Sequence, residues 1–441
     1  MIVLKDASYV VRDARRVERD VDVVIEGQRI ALIGHAGPER PDWDKIDCRG
    51  KAVIPGLVNA HTHLYQSMLK GRRDDLPLVE WCEQVTFPFV RAVLARAWHG
   101  DGSEEVGRLW SLLGAMEMIR GGVTCCVDMD ISFDNIIEAW CEVGVRAVAA
   151  MTMVDRWVPD DLLMPREVTY ERTRALVERW HNYPPEAPLV QVALGPSAPF
   201  TCSHEMLAWI REQSEVHDLT VSTHVSETLW EVEHSLKECG KPPLAYLEEL
   251  GLLERPLLAV HGVHLTPEEV ELARHRPVTV VHNPKSNMKL GSGVAPIDDL
   301  RRAGIAVALG TDGAASNDLL DMFEEMRAAA MLQKVARRDP TVIDARDVFE
   351  MATEGGARAC RIDAGTLDEG RLADIAIVDL SGPHTFGLTD EIVPLLVYCG
   401  RSSDVEDVIV NGRPVLRNRQ MVTVDEEVLI REARRAGREY A

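Results

Sequence analysis

Along the first fifty residues apolar and polar positions alternate with a period of two, the signature of half-buried strands. The runs are Ile2 to Leu4, Asp22 to Ile25 and Arg29 to Ile33, the last two joined by the turn Glu26-Gly27-Gln28, and they predict a small antiparallel sheet. The same texture returns from Ala373 to Val378, from Val405 to Val410 and, after the turn Asn411-Gly412, from Pro414 to Leu416. Neither end is large enough to bury a core alone. The two ends are therefore expected to form one β-domain, residues 1–55 with 366–441.

From 56 to 365 the pattern changes to short apolar runs separated by helical stretches, the texture of parallel β/α units. Eight strands are expected: Ala52 to Ala60, Val123 to Met129, Val145 to Val154, Val190 to Leu194, Thr220 to Val225, Leu257 to Val260, Val278 to Val281 and Ala306 to Leu309. Helical stretches at Glu104 to Arg120, His204 to His217, Pro267 to Arg274 and Asp298 to Ala303 fall between them. Eight such units over about three hundred residues predict an α/β fold of the (β/α)8 TIM-barrel type rather than an open sheet.

Composition narrows the function classes. The 441 residues are 46% hydrophobic and 27% charged, too apolar for a disordered chain. Lys plus Arg number 49 against 71 Asp plus Glu, a net charge of −22 that repels phosphate backbones and anionic membranes. Nucleic-acid and membrane partners are not expected. The opening MIVLKDASYVVRDARR has no secretory pattern, and no apolar stretch reaches the ~18 residues of a membrane span, so a cytoplasmic protein is expected. Nine cysteines without a CxxC spacing read as reduced thiols.

In a barrel of this kind chemistry gathers where the strands end. The first strand ends in His61-Thr62-His63, and residues two apart on a strand point to one side, where both imidazoles can ligate one ion. The fifth strand ends at His224 and the eighth runs into Asp312. Three imidazoles and a carboxylate suit one catalytic divalent ion with a position open to water, and Zn(II), Fe(II) or Co(II) fits that donor set with similar ease. Glu227, three residues past His224, is suited to move a proton between water and substrate. His261, at the end of the sixth strand, is suited to polarise the reacting group, while His264 faces another way and is expected to be structural. No lysine lies between Lys70 and Lys237, which excludes a pair of ions bridged by a carbamylated lysine after the fourth strand.

Four motifs, Pro55-Gly-Leu-Val-Asn-Ala-His-Thr-His63, Thr223-His-Val-Ser-Glu-Thr228, His282-Asn-Pro-Lys-Ser-Asn-Met-Lys-Leu290 and Gly310-Thr-Asp-Gly-Ala-Ala-Ser-Asn317, are spread over the whole barrel. In order and spacing the chain resembles the amidohydrolase superfamily, in the branch of the methylthioadenosine/S-adenosylhomocysteine deaminases and the related triazine hydrolases. The resemblance implies a β-sandwich built from both termini beside the barrel. It implies His61, His63, His224 and Asp312 as ligands, usually of zinc, and Glu227, His261 and Asp312 as catalytic groups. It also implies Trp81 near the substrate base, Ser316 beside the substrate, and a homo-oligomer, a dimer or tetramer.

Three positions depart from that pattern. Val90 stands where the nucleoside deaminases carry a glutamate for the ribose hydroxyls, and Ser197 where the family carries a histidine. The third strand, around Met151, lacks an arginine for the carboxylate of S-adenosylhomocysteine; the nearest is Arg156. The substrate-binding candidates are thus Trp81, Val90, Met151, Arg156, Ser197 and Ser316. The expected reaction is hydrolytic deamination of an amino-substituted N-heterocycle, first of all an adenine-type nucleoside. The alternatives are displacement of chloride or an alkylamine from an s-triazine or other heterocycle, deamination of a guanine, pterin or pyrimidine, and a metal kept only for stability.

Overall fold

The computed structural model describes residues 1–38, 41–98, 103–131, 134–387 and 389–438. Its centre is a ring of parallel strands: β1 (Leu57–His63), β2 (Val123–Asp130), β3 (Arg146–Met153), β4 (Val190–Pro196), β5 (Val221–Val225), β6 (Leu257–His261), β7 (Val278–His282) and β8 (Ala306–Leu309), each bonded to the next in chain order. The short strand Asp312–Gly313 closes the ring by pairing in parallel with Thr62 and His63 of β1. That closure carries Asp312 to the two histidines of β1.

Every position of β1 and β2 is buried, as strands covered on both faces require. Val58, Ala60, Cys125, Val127, Met129, Val148 and Ala150 fill the inside of the ring, while the alternate residues Leu57, Val123, Cys126, Ala147 and Ala149 pack outward. Helices His204–His217 and Pro267–Arg274 occupy their expected ranges. Ser203 and Thr266 cap them by accepting the backbone N–H of Met206 and Glu269.

The expected first strand, Ala52 to Ala60, is two strands. Lys51–Pro55 belongs to a terminal sheet and Leu57–His63 to the barrel. Gly56 separates them, and a Cβ there would lie 2.2 Å from Thr124 Oγ1. Both sheets bury the run, so its apolar pattern continues unbroken across the junction.

The termini build two sheets. One has four strands, Ile2–Ala7, Val21–Glu26, Arg29–Gly34 and Asp44–Asp47. The other joins Tyr9–Val11, Val17–Glu18 and Lys51–Pro55 to Ile375–Asp379, Val405–Val410, Arg413–Arg417 and Gln420–Met421. Period-two alternation sorts this second sheet onto two cores. Val53, Ile375, Ile377 and Ile409 meet Leu4, Val23 and Ile25 of the first sheet, while Ala52, Ile54, Ala376, Val378 and Val408 join the core of the barrel. The result is a β-sandwich docked on a TIM barrel. A buried ion pair ties the two: Arg146 of β3 donates from Nε to Asp374 Oδ2 at 2.8 Å and from Nη2 to Asn411 Oδ1 at 3.1 Å.

Candidate active site

The ligating atoms of His61, His63, His224 and Asp312 lie within 4.8 Å of one another. His63 Nε2 is 3.3 Å from His224 Nε2 and 3.3 Å from Asp312 Oδ1, and His61 Nε2 is 3.1 Å from His224 Nε2. For two of the rings the far side decides where the hydrogen sits. His63 Nδ1 lies 2.6 Å from the Met129 carbonyl and His224 Nδ1 2.5 Å from the Ser197 carbonyl. A carbonyl only accepts, so both rings carry hydrogen on Nδ1 and turn Nε2 inward. Burial drives His61 down to about 4 and His224 well below its ordinary range. Burial also opposes charge on His63, but Asp312 beside it raises that group. Asp312, which burial alone would push up, is held well below the usual carboxylate range by His61 and His63. Unshared nitrogen pairs and a carboxylate converging in a buried space need a positive charge between them, and this donor set fits a divalent cation.

Asp312 is aimed by its neighbours. Its Oδ2 accepts from Ser286 Oγ at 2.6 Å and from Ser316 Oγ at 2.9 Å, which leaves Oδ1 to the histidines. Its backbone is left-handed, φ 61°, as is that of His261 at 73° and Ser226 at 52°. Non-glycine residues hold such angles where the surroundings impose them, most often at functional sites. Here Asn59 clamps the preceding residue: Thr311 N–H donates to Asn59 Oδ1 at 2.9 Å, and Asn59 Nδ2 donates to Thr311 Oγ1 at 2.8 Å. Asn317 Nδ2 donates to the Thr311 carbonyl at 2.6 Å and to Glu325 Oε1 at 2.7 Å.

Glu227 lies buried beside this ring, accepting from Ser292 Oγ at 3.1 Å, with Oε2 3.5 Å from His261 Nε2. Burial raises its pKa, and the Asp312 charge adds to the rise against the opposing pull of His261. His261 donates from Nδ1 to Asn287 Oδ1 at 2.8 Å, which fixes the ring and turns Nε2 toward Glu227. Behind Glu227 stands Glu231, whose two oxygens accept the N–H groups of Ser226 at 2.9 Å and Glu227 at 2.7 Å. Burial pushes Glu231 up to about 7.

A cavity of about 230 Å³ opens onto His63, His224, Glu227, His261 and Asp312. Of the substrate-binding candidates, Trp81, Val90, Met151 and Ser197 line it. Ser316 lies against Asp312 rather than on the wall, and Arg156 is off the wall as well, its backbone N–H donating to the Thr201 carbonyl at 3.2 Å. The arginine that does line the cavity is Arg172, exposed on helix Arg166–Trp180. Trp81 ends the helical turn Leu78–Trp81, which passes through one wide π turn, Cys82–Thr86, into Phe87–Trp98. Such wide turns recur at functional sites. The buried indole N–H of Trp81 has no acceptor among the described residues.

Sequence reasoning passed over Ser286, Glu231 and Arg172. Ser286 sits inside the third motif, whose polar run was its signal. Glu231 carries the ordinary mark of an acid in the first turn of a helix, and one arginine among several on a helix carries none.

The stretch 52–415 matches the amidohydrolase family. The chain is 39% identical over 416 residues to a 5-methylthioadenosine/S-adenosylhomocysteine deaminase of Thermococcus sibiricus, covering 94% of each chain. It superposes on an adenosine deaminase from Xanthomonas campestris with bound zinc at a TM-score of 0.92, with 33% identity, covering 100% of this chain and 98% of that one. It superposes equally, at 0.92, on a triazine hydrolase of Arthrobacter aurescens with 27% identity, covering 99% of each. Barrel, strand-end chemistry and sequence likeness agree over nearly the whole length, and the chain belongs to the amidohydrolase family.

Proposed function

We propose that this chain is a metal-dependent aminohydrolase that replaces the amino group of an adenine-type nucleoside by a carbonyl oxygen and releases ammonia. The observation that carries the reading is Glu227, a buried proton carrier held against His261 beside three imidazoles and a carboxylate, on a cavity lined largely by apolar side chains. His61, His63, His224 and Asp312 would hold the ion, zinc by its preference for nitrogen and carboxylate ligands, with Fe(II) the alternative. Bound there, a divalent ion supplies a Lewis acid and brings the pKa of a coordinated water toward neutrality.

The chain's own groups move the protons. Glu227, ionised at the outset, takes one from the attacking water and delivers it to the ring nitrogen next to the amino-bearing carbon. Its raised pKa suits both halves of that task, since a carboxyl lifted above its ordinary value takes up a proton more readily and can still return it. His261, held by Asn287, turns Nε2 to the same point, where negative charge grows on the incoming oxygen. Asp312 Oδ1 takes the remaining hydroxyl proton and passes it to the amino group as the carbon–nitrogen bond breaks and ammonia leaves. Trp81 offers its unpartnered N–H to a ring nitrogen.

Relatives support the reading: one is a methylthioadenosine/S-adenosylhomocysteine deaminase and one an adenosine deaminase. Likeness to a triazine hydrolase and the apolar cavity favour a second reading, the same attack displacing chloride or an alkylamine from an s-triazine. The setting we propose is a cytoplasmic homo-oligomer, a dimer or tetramer, acting on a free small molecule. No helix among the described residues is long and apolar enough to cross a membrane, and a net charge of −22 disfavours polynucleotides.

Release of ammonia, chloride and alkylamine from a panel of adenine nucleosides, guanine, pterins, pyrimidines and s-triazines tests both readings on protein reconstituted with zinc or Fe(II). Ammonia from the nucleosides supports the first, and chloride or alkylamine from the triazines favours the second. Turnover of amides or cyclic ureas alone overturns both. Glu227→Gln is expected to keep its metal while kcat falls at least a hundredfold; unchanged turnover would remove Glu227 from the mechanism.

A further inference from the structure

The cavity has an aromatic wall of its own. Phe87 comes from helix Phe87–Trp98, Trp157 from the loop after β3, Phe200 from the short turn Pro199–Thr201 after β4, and Trp230 stands behind them on helix Leu229–Cys239. The Trp157 ring lies 5.8 Å from Phe87, 5.0 Å from Phe200 and 5.8 Å from Trp230, and Phe200 lies 5.2 Å from Trp230. Four segments far apart in sequence thus deliver their rings to one point, mostly edge to face.

Trp157 holds a left-handed backbone, φ 71°, which is unfavourable for a bulky side chain and persists only where neighbours impose it. Its loop is tied down. The N–H groups of Asp155 and Arg156 donate to the Thr201 carbonyl at 3.1 and 3.2 Å, and the Asp155 carboxylate accepts from Ser203 N at 2.6 Å and Oγ at 2.5 Å. Val90, Val158, Leu162 and Met164 extend the apolar lining. Three hydroxyls of the lining are already engaged: Thr86 donates to the Cys82 carbonyl, Thr169 to Pro165 and Thr201 to Ala198. A polar group laid on the rings themselves would lose its water without gaining a partner from them. The arginine of the lining, Arg172, stands exposed.

We propose that this wall is a subsite for an apolar, ring-sized arm of the substrate, so that the chain selects amino-heterocycles whose arm ends in an aryl or branched alkyl group over those ending in a hydroxyl or a zwitterion. The proposal rests on the aminohydrolase reading and names the substrate class for it. An aryl terminus gains the edge-to-face contacts that a methyl leaves unused, whereas these rings offer a charged terminus no opposite charge and the arginine of the lining, Arg172, stands exposed.

The test is kcat/KM of the zinc-loaded protein for adenine nucleosides bearing a 5′-hydroxyl, 5′-methylthio, 5′-benzylthio or 5′-homocysteinyl arm. The benzylthio compound is expected to exceed the hydroxyl compound at least tenfold, with the homocysteinyl compound below methylthio. Equal values, or a homocysteinyl compound at the top, overturn the proposal. Phe200→Ala is expected to erase about tenfold of the benzylthio advantage, mainly through KM, and to leave the hydroxyl substrate within twofold. Phe87→Leu, at a half-buried position, repeats the test should the first variant fold poorly. If no nucleoside releases ammonia the reaction is misassigned, yet the wall is still tested. Tryptophan fluorescence then compares binding of 5′-benzylthio and 5′-hydroxyl inosine analogues, and equal affinity overturns the subsite.

Discussion

Glu231 spends both carboxylate oxygens on consecutive backbone N–H groups, those of Ser226 and Glu227. A glutamine offers one oxygen and turns an NH2 against the other N–H, so the strained turn at Ser226 would lose half its grip. Glu231→Gln is expected to lower kcat about tenfold, the equivalent of one charge-assisted hydrogen bond, with KM and metal content near wild type. Wild-type kcat would show that Glu227 does not depend on this support. A second buried carboxyl makes stability respond to pH. Burial pushes Glu325 up to about 8 from its ordinary 4.5. The folded chain therefore keeps a proton that the unfolded chain has already released. Its contribution is complete below pH 4.5 and is lost as pH rises toward 8, on the order of 5 kcal/mol. Glu325→Gln keeps the Asn317 contact and cannot titrate, so urea midpoints at pH 5 and pH 8 should lie closer together than in wild type. A spread as wide as wild type would assign the pH response to another group. At this scale the sequence was legible where spacing itself carries geometry: His61 and His63, two apart on a strand, share a side whatever surrounds them. It was silent where a side chain reaches back to the backbone of the turn just before its helix, as with Glu231, or where two segments must meet first, as with Ser286 and Asp312.

Closure of the barrel depends on how near β8 comes to β1. At Gly310 a Cβ would stand 2.5 Å from Asn283 Oδ1 and 2.9 Å from the backbone N and O of His61. Gly310→Ala must therefore push β1 outward or tilt the chain that carries Asp312. The expected cost is about 1–3 kcal/mol of stability together with weakened zinc affinity, read by thermal denaturation and zinc titration. Wild-type affinity would mean that the two strands separate without disturbing the ligands. The strands themselves were readable because parallel strands covered on both faces are apolar runs, and burial on both faces also hid the break at Gly56, where a strand of the mixed terminal sheet runs into a barrel strand. Asp44–Asp47 was unreadable for the opposite reason. Its four residues are polar except Ile46, and only its parallel pairing with Ile2–Ala7 makes it a strand.

Across the whole molecule, sandwich and barrel meet at Arg146 and Asp374, two opposite charges removed from water. Asp374→Ala leaves the guanidinium buried without its carboxylate and is expected to cost about 3–5 kcal/mol in denaturant unfolding, with the spacing of the metal ligands unchanged. A loss under 1 kcal/mol would show that Asn411 and solvent satisfy the arginine by themselves. Composition set the scale of the architecture, and alternation at both ends pointed to a shared domain. The partner of each strand lay beyond reach, because pairing is settled by distant residues. Lys51–Pro55 leads through Gly56 directly into the strand of His61 and His63, yet its hydrogen-bonding neighbour on one side is Ile375–Asp379, more than three hundred residues later. While the ribosome is still making the barrel, this strand waits with an open edge. The histidine-bearing strand thus gains its flanking sheet only when nearly all of the chain has emerged, so folding of the amino-terminal part is completed after synthesis rather than during it.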